Sequence, residues 1–188
     1  MNILYLGPEN LLVLNHLKKH EKSVIQVEDV IDEAFLKEHS FDFLISYGYR
    51  HILKKSILDY FPKRAINLHI SYLPWNRGAD PNFWSFIEKT PKGVTIHYLD
   101  EGVDTGDILV QKEIALSADE TLRTSYETLQ RELQQLFFEH WESIRSGTCP
   151  QRKQEGKGTC HRQKDKEPYL YLLTDGWDTP VRDLRLLL

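Results

Sequence analysis

The sequence predicts an α/β fold in which helices flank an open, mostly parallel twisted sheet. In the first half of the chain, short apolar runs alternate with charged stretches of helical periodicity, a pattern typical of a parallel sheet covered by helices. Two segments of alternating polarity follow, and such alternation indicates strands with one wet face. With 188 residues, the chain is long enough to bury about 70% of its unfolded surface without a disulfide or a metal.

The composition limits the classes of protein to which the chain can belong. The formal net charge is −4, so the chain lacks the excess of Lys and Arg that is typical of nucleic-acid binding proteins. Nucleic acid is therefore disfavoured as a partner. The apolar runs are far shorter than the roughly 20 residues of a membrane span, and the start of the chain has no leader pattern. Cys149 and Cys160 are too few for a secreted disulfide scaffold. We therefore expect a cytoplasmic protein with no membrane partner.

Buried strands and intervening helices are expected in the first half. Strands are predicted at Asn2–Leu6, Val24–Val27, Phe41–Ser46 and Ala65–His69. The first helix, capped by Asn10, carries Leu11, Leu14 and Leu17 on one side. Two further helices are predicted over Glu33–His39 and Lys55–Tyr60.

The middle of the chain is dense in residues that break regular structure. The segment from Leu73 to Pro81 is therefore expected to form no regular element. Asp80 and Pro81 are residue types favoured at a helix cap and first position, so a helix is predicted from there through Phe86. Two later strands are predicted at Val94–Leu99 and Ile108–Ile114, joined by the acidic loop Asp100–Asp107.

The strongest helical pattern follows these strands. Apolar residues recur at three- and four-residue steps from Leu122 to Ile144, and Gly147 stands where the helix is expected to end. Ser117 and Glu120 have the spacing of a capping box that would open this helix.

We therefore predict a main domain over residues 1–147, followed by a polar, solvated connector and a tail over residues 148–188. The tail either docks as a small cap or continues towards a partner. Trp177 and Leu184–Leu188 are compatible with a homodimer contact and equally with packing on their own domain.

The candidate chemistry lies where the predicted sheet ends. Asn67 and His69 are two residues apart on one strand, so both side chains point to the same face. Ligands of open parallel sheets bind outside the carboxyl ends of strands, and Asp104 in a separate loop could reach the same place. Such a carboxylate would orient the imidazole and raise its pKa towards that of a general acid or base. From spacing alone, backbone capping by Asn67 and His69 and a turn at Asp104 remain an alternative.

Four linked stretches follow one another in order: Asn67-Leu-His69-Ile-Ser71-Tyr-Leu73-Pro74, Arg77-Gly78 with Pro81, Gly93-Val-Thr-Ile-His97, and Asp100-Glu-Gly-Val-Asp104-Thr-Gly106. Together they resemble a known family, the N10-formyltetrahydrofolate-dependent formyltransferases, which includes enzymes acting on methionyl-tRNA, glycinamide ribonucleotide and amino sugars. The resemblance covers residues 41–146 in order and implies the Rossmann-like formyltransferase fold, with the catalytic domain over residues 1–147.

The resemblance implies catalytic roles for Asn67, His69 and Asp104. A substrate amine would attack the formyl carbon through a tetrahedral intermediate, whose oxyanion Asn67 and His69 would stabilise. Asp104 would hold His69 and help to move the amine proton. No metal is implied, and Cys149, Cys160 and His161 lack the paired close spacing of a zinc site. His97 is expected to have a packed, hydrogen-bonded structural role.

The resemblance also implies a site for the folate co-substrate, N10-formyltetrahydrofolate. One wall would be the loop with Tyr49, Arg50, His51, Ile52 and Leu53, and the other would include Asp100 and Val103. Backbone groups there can read the amide-like edge of a pterin, and apolar side chains can enclose its flat ring. Ordinary helix-start core positions for Ile52 and Leu53, and an exposed, non-catalytic position for His51, are the alternatives.

The stretch from Trp75 to Trp84 resembles that of sugar N-formyltransferases more than that of the tRNA enzymes. Trp75 and Trp84 offer apolar faces to a sugar or base, and Arg77 could pair with a phosphate or carboxylate. In the alternative, both tryptophans are core residues and Arg77 pairs within the loop. The favoured acceptor is the primary amine of an amino sugar or of its nucleotide-linked form.

Two departures from the family guide this choice. About 40 residues follow Gly147, too few for the C-terminal barrel of the methionyl-tRNA enzymes, and Gly7-Pro8-Glu9 replaces a Gly-rich phosphate turn. The tRNA and purine-pathway substrates are therefore disfavoured. A methionyl-tRNA formyltransferase-like activity, hydrolysis of formyltetrahydrofolate, and a non-catalytic folate- or nucleotide-binding domain are retained as alternatives.

Overall fold

A computed structural model describes residues 1–185 of the chain, so Leu186–Leu188 of the apolar tail lie outside the described residues. The strands are β1 (Asn2–Leu6), β2 (Ser23–Val27), β3 (Phe43–Tyr47), β4 (Ala65–His69), β5 (Arg77–Gly78), β6 (Gly93–Tyr98), β7 (Ile108–Glu113) and β8 (Cys160–His161). The α-helices are α1 (Leu11–His20), α2 (Glu33–His39), α3 (Lys55–Asp59), α4 (Pro81–Ile87) and α5 (Leu122–Arg145). Three 3₁₀ segments follow, at Gln163–Leu172, Gly176–Asp178 and Asp183–Arg185.

Six strands form the main sheet in the order β2-β1-β3-β4-β6-β7. The pairings from β2 to β4 are parallel, whereas β6 is antiparallel to both β4 and β7. The prediction of an open, mostly parallel sheet flanked by helices is confirmed. The antiparallel strands lie at one edge, as in many otherwise parallel sheets.

The two faces of the sheet are covered by different helices. On one face, α1 and the long α5 pack on alternate residues of the strands, and Trp141 lies fully buried among them. On the other face, a second core includes Leu36 from α2 and Ile57 from α3. Asn67 and His69 belong to this second face, because the neighbouring Leu68 points into the first core.

The register of the sheet sets the surroundings of the candidate residues. Asn67 lies between Ser46 on β3 and His97 on β6, and His69 lies opposite Thr95. The prediction of a wet face on β6 is wrong, because the strand is buried from Gly93 through His97. Side chains of β6 on the second face are covered by the segment that follows β4: Thr95 Oγ1 donates to the carbonyl of Ser71.

Two helix details differ from the sequence prediction. Asn10 caps α1 as expected, but Leu11 is 61% exposed and Val13 joins the buried stripe instead. Leu11 is about 120° from Leu17 around the helix, so both cannot face the sheet. The capping box of α5 is formed by Thr121 and Thr124 rather than by Ser117 and Glu120, which precede the helix.

None of residues 148–168 is buried, which agrees with the predicted solvated character, but the segment is also docked by hydrogen bonds to the preceding part of the chain. Arg152 exchanges two backbone hydrogen bonds with Ile108, and β8 pairs in parallel with β5. The prediction that residues 73–81 contain no regular element is wrong, because Arg77 and Gly78 form the short strand β5. These pairings join segments that are distant in the chain and too short to show a periodic pattern.

The tail forms a third apolar cluster with α4. Val181 and Leu184 are fully buried there, together with Phe86. Trp177 is 48% exposed and lies with its ring centroid 5.4 Å from that of Tyr126 on α5. The described part of the tail therefore packs on its own domain, while the division at residue 147 and a homodimer contact remain predictions.

Candidate active site

The carboxylate of Asp104 is the point at which the candidate residues meet. Asn67 Nδ2 donates to Asp104 Oδ1 at 3.0 Å, and His69 Nε2 lies 3.6 Å from Oδ2. Asn67 and His69 project from the carboxyl end of β4, and Asp104 comes from the loop between β6 and β7. The structure thus brings together an amide, an imidazole and a carboxylate from two distant segments.

The backbone around Asp104 directs this carboxylate. Asp104 has a φ of +52°, in the left-handed region, and the amide of Gly78 donates to its Oδ2 at 2.8 Å. Burial alone would raise the pKa of the Asp104 carboxyl. The electrostatic interaction with His69, together with the interactions of His97 and Gly78, outweighs burial and holds that pKa well below its ordinary value. Asp104 is therefore a carboxylate at neutral pH.

His69 is nearly fully buried, and burial lowers the pKa of its imidazole against the opposing effect of Asp104. Its Nε2 lies 3.2 Å from the carbonyl of Asn76. A carbonyl only accepts, so this contact assigns the hydrogen to Nε2. The neutral ring then carries its lone pair on Nδ1, for which no hydrogen bond is formed within residues 1–185.

A second imidazole flanks the same carboxylate. His97 is 1% exposed, and its Nδ1 donates to the carbonyl of Tyr98 at 2.8 Å. Its Nε2 lies 3.4 Å from both Asp104 Oδ1 and Asn67 Nδ2. His97 therefore limits the positions open to the amide of Asn67, which agrees with the hydrogen-bonded structural role expected for it.

Asn76 is a site residue that sequence reasoning missed. It is fully buried, and its side-chain amide is fixed at both ends: Nδ2 donates to Glu88 Oε2 at 3.0 Å and Oδ1 accepts from Thr90 at 2.6 Å. These contacts hold the backbone carbonyl of Asn76 against His69. Its backbone amide donates to Thr159 Oγ1 at 3.0 Å. Its φ of +56° is typical of Asn in turns, a signal that predicts a turn but not a role beside the imidazole.

The predicted folate walls both adjoin the core of the second face but leave the sheet at different ends: the loop with Tyr49 follows the carboxyl end of β3, whereas the backbone amide of Leu99 donates to the carbonyl of Ala65 at the start of β4. Tyr49, Leu53 and Leu99 pack against the core of the second face, and Tyr49 Oη donates to the carbonyl of Asp29. Ile52 is 84% and Val103 46% exposed, so both walls present uncovered apolar side chains, as enclosure of a flat ring requires.

The remaining predicted folate residues differ in their surroundings. Arg50 and His51 are exposed, and the His51 ring lies edge-on to Tyr49 at 5.2 Å. The carboxylate of Asp100 is engaged within its own loop, where Oδ1 accepts from Gly102 at 3.1 Å and from Thr105 at 2.6 Å. A cleft of about 440 Å³ between α3 and Leu99–Gly102 adjoins this wall.

The predicted acceptor residues are brought together only in part. Trp75 is half-buried and adjoins the turn at Asn76. Arg77 is half-buried and donates from Nε and Nη2 to Gln154 Oε1, at 3.1 and 2.8 Å, so within residues 1–185 its partner is a neutral amide. The expectation that Trp84 offers a face to the acceptor is wrong, because Trp84 is 4% exposed and stacked on His161 at 3.9 Å.

The described residues form neither a membrane-spanning helix nor a metal-binding cluster. Within residues 1–185, no helix has both the length and the apolar character needed to cross a bilayer. The same residues contain no group of three or more His, Cys, Asp or Glu side chains arranged to hold a metal ion.

Comparison with known proteins adds to this geometry. Residues 13–140 match the family model described as formyl transferase. A solved structure of the formyltransferase PseJ from Anoxybacillus kamchatkensis, in complex with UDP-4,6-dideoxy-4-formamido-L-AltNAc and tetrahydrofolate, is 53% identical, with a TM-score of 0.94; the match covers 98% of this chain and 97% of that one. A 4-N formyltransferase from Francisella tularensis is 21% identical, with a TM-score of 0.78 over 98% of this chain and 85% of that one, and this likeness shows the fold alone.

Methionyl-tRNA formyltransferases also match. That of Agathobacter rectalis is 34% identical over 145 residues, which are 75% of this chain and 47% of the relative. That of Syntrophus aciditrophicus is 41% identical over 110 residues, which are 56% of this chain and 35% of the relative. The chain spans about half the length of the curated relatives it matches, or less.

Proposed function

The chain belongs to the formyl transferase family, and from that premise we propose that it transfers a formyl group from N10-formyltetrahydrofolate to the primary amine of a nucleotide-linked amino sugar. The observation that carries this proposal is the Asp104 carboxylate, which Asn67 and His69 contact together at the carboxyl end of β4. The similarity to PseJ, whose structure contains a formamido sugar nucleotide and tetrahydrofolate, supports the choice of donor and acceptor.

The donor supplies an electrophilic formyl carbon, and the protein has two tasks around it. Negative charge develops on the formyl oxygen as the amine attacks, and the nitrogen must lose a proton. Asn67 Nδ2 has one hydrogen directed to Asp104 Oδ1, and the other makes only a 3.4 Å contact with His97. This second N–H is the donor we assign to the developing oxyanion.

His69 and Asp104 handle the proton. The neutral imidazole, with Nε2–H held by Asn76, has a lone pair on Nδ1 that can accept a proton from the amine. The Asp104 carboxylate stabilises the imidazolium that results. The same cation would donate a hydrogen bond to the oxyanion and would then return the proton to N10 as the bond between N10 and the formyl carbon breaks, which would release tetrahydrofolate.

Binding of the two substrates is assigned to the neighbouring surfaces. Tyr49, Ile52 and Leu53 on one side, with Asp100 and Val103 on the other, would hold the folate, since the exposed apolar side chains of both walls suit a flat ring. Trp75 and Arg77 lie in the segment that follows β4, where the neighbouring Gly78 donates to Asp104. The guanidinium of Arg77 has no carboxylate partner within residues 1–185, which leaves its charge for the diphosphate of a sugar nucleotide.

An acceptor screen tests the proposal. The protein is incubated with N10-formyltetrahydrofolate and a panel of 4-amino and 3-amino nucleotide sugars, and products are detected as a mass increase of one formyl group. Methionyl-tRNA is included as a separate acceptor, and formate release is measured without acceptor. Formylation of a nucleotide sugar supports the proposal. Exclusive formylation of methionyl-tRNA, release of formate alone, or folate binding without turnover contradicts it.

A further inference from the structure

Gln154 is a polar side chain in the C-terminal segment that the proposed mechanism does not use. Its Nε2 donates to the carbonyls of Asp104 and Gly106, at 2.8 and 2.9 Å. Its Oε1 accepts from both Nε and Nη2 of Arg77. Both hydrogens and the carbonyl of one planar amide are thus engaged, by two segments that are themselves far apart in the chain.

These two segments are the ones that hold the Asp104 carboxylate. The first is the loop that bears Asp104, which is in the left-handed region at a φ of +52°. The second is β5, where Arg77 precedes Gly78, the residue whose amide donates to Asp104 Oδ2. Gln154 therefore ties the backbone of Asp104 to the strand that fixes its side chain.

The segment around Gln154 is anchored on both sides. Before it, Arg152 exchanges backbone hydrogen bonds with Ile108 at 2.8 and 2.9 Å. After it, β8 pairs with β5, and the backbone amide of Arg77 donates to the carbonyl of Thr159 at 3.0 Å. Because both flanks are fixed, the amide of Gln154 is held at a defined distance from the Asp104 loop.

We propose that Gln154 is a positioning residue, which holds Asp104 in the orientation that formyl transfer requires. The inference rests on the proposed function. Only Gln has the required length, two donors and an acceptor: Glu would keep the contact with Arg77 but face two carbonyl oxygens with a carboxylate, and Met would fill the space without hydrogen bonds. Misplacement of a reacting group by about 1 Å can cost up to about 100-fold in rate.

Three variants test the proposal in the 188-residue chain. Gln154→Met retains the shape, Gln154→Glu retains one partner, and Gln151→Ala is the matched control. Gln151 is exposed on the same segment and makes a 3.4 Å contact with Asp107. We expect kcat to fall by about 10-fold or more in Gln154→Met and Gln154→Glu, with the KM for the folate donor within about 3-fold of the original. The KM for the nucleotide sugar should rise in Gln154→Glu, because its carboxylate would pair with Arg77. Gln151→Ala should keep its rate, and thermal unfolding should show that all three are folded.

A double-variant cycle separates positioning from a general structural role. In an Asp104→Asn background the carboxylate is already absent, so adding Gln154→Met should lower kcat by less than about 2-fold. If Gln154→Met instead lowers kcat by the same factor in the Asp104→Asn background as in the original protein, Gln154 acts independently of Asp104 and the proposal is overturned.

The unsubstituted protein, assayed in parallel, distinguishes the two levels of inference. If it transfers formyl groups and Gln154→Met does so at the same rate, only the role of Gln154 is overturned. If the unsubstituted protein has no transferase activity, the proposed function fails and this inference fails with it.

Discussion

The β4 region and the C-terminal segment hold their site residues in different ways. On β4, Asn67 and His69 are fixed by strand register, with paired neighbours on both sides and cores on both faces. The segment over residues 148–162 contains only the two-residue strand β8, and it acts through individual side chains such as Gln154 and Thr159.

This difference shows how the work of the site is divided. In the proposed mechanism, the central strand supplies the groups that meet the reactants, and a strand is well suited to this because its register fixes side-chain direction. The C-terminal segment supplies bonds to the loops that strand register cannot reach, those bearing Asn76 and Asp104. Substitutions on β4 and Asp104 should therefore affect the rate most, whereas those in the C-terminal contacts should affect stability as much as rate.

The largest effect is expected for Asp104→Asn. This change keeps the size of the side chain but removes the charge that stabilises protonated His69, so kcat should fall by about 100-fold or more. Single-turnover measurements with saturating donor and acceptor check this. A rate within about 3-fold of the original, in a variant that remains folded, would remove Asp104 from the reaction.

The pH dependence of kcat/KM tests the role of proton acceptor that we propose for His69. Burial lowers the pKa of its imidazole from 6.5, so the neutral form is present at neutral pH and is lost as the pH falls through the lowered value. We expect kcat/KM to be level near neutral pH and to decline on an acidic limb centred below pH 6.5.

His69→Gln is the control for this profile, because it removes the titrating ring while retaining a polar side chain. Its residual activity should lack that limb. An acidic limb centred above pH 7, or one unchanged in the variant, would assign the proton transfer to another group.

Gly78→Ala tests the contact between β5 and β8. Gly78 has a φ of +82°, and an added Cβ would lie 2.3 Å from the carbonyl oxygen of His161. Left-handed backbone strain and this contact together should lower the free energy of unfolding by about 3 kcal/mol. The displaced amide should also lower kcat, since it donates to Asp104.

Gly156→Ala is a matched control for the backbone strain at positive φ. Gly156 has a φ of +86° and nothing within 4 Å of an added Cβ, so only the strain of about 1–2 kcal/mol applies. Chemical denaturation of both variants gives the comparison. Equal destabilisation would mean that the pairing of β5 with β8 does not constrain the site.

The smallest effect is expected for Thr159→Val. The hydroxyl accepts from the backbone amide of the fully buried Asn76 and donates to Glu88, and its loss leaves that amide without its partner. The free energy of unfolding should fall by about 1–3 kcal/mol, while kcat should fall by less than about 10-fold. Thr148→Val, at an exposed position of the same segment, should change stability by less than about 0.5 kcal/mol. A fall in kcat of more than about 10-fold in Thr159→Val, with the free energy of unfolding unchanged, would contradict the view that the C-terminal contacts act on stability as much as on rate.

The contrast between β4 and the C-terminal segment also explains which features could be predicted from the sequence. The bounds of β1, β4 and α2 were predicted to the residue, because buried strands and capped helices have strong local patterns. The shared face of Asn67 and His69 was also predictable from their spacing on a strand. Asp104 reaches them because the loop after β6, which begins beside the start of β4, folds back over that face.

The remaining features depend on contacts between distant segments. Trp84 was expected to face a ligand, but its accessibility is decided by His161, which stacks on it from a part of the chain predicted to be solvated. Gln154 and Thr159 stand among polar residues with no periodicity, so nothing local distinguishes them from the exposed Lys153 or Lys157. Their importance comes from partners some 50 to 83 positions earlier.

The separation of these partners has a consequence for the order of events during synthesis. Strands β1 to β4 can pair as soon as residue 69 has left the ribosome, and β6 and β7 can join once residue 113 follows. A nascent chain at that stage already holds Asn67, His69 and Asp104, yet the bonds from Gln154 and the pairing of β5 with β8 are still to be made. The contacts of the candidate site are therefore complete only when residues 152–161 have emerged, after the strand that bears Asn67 and His69.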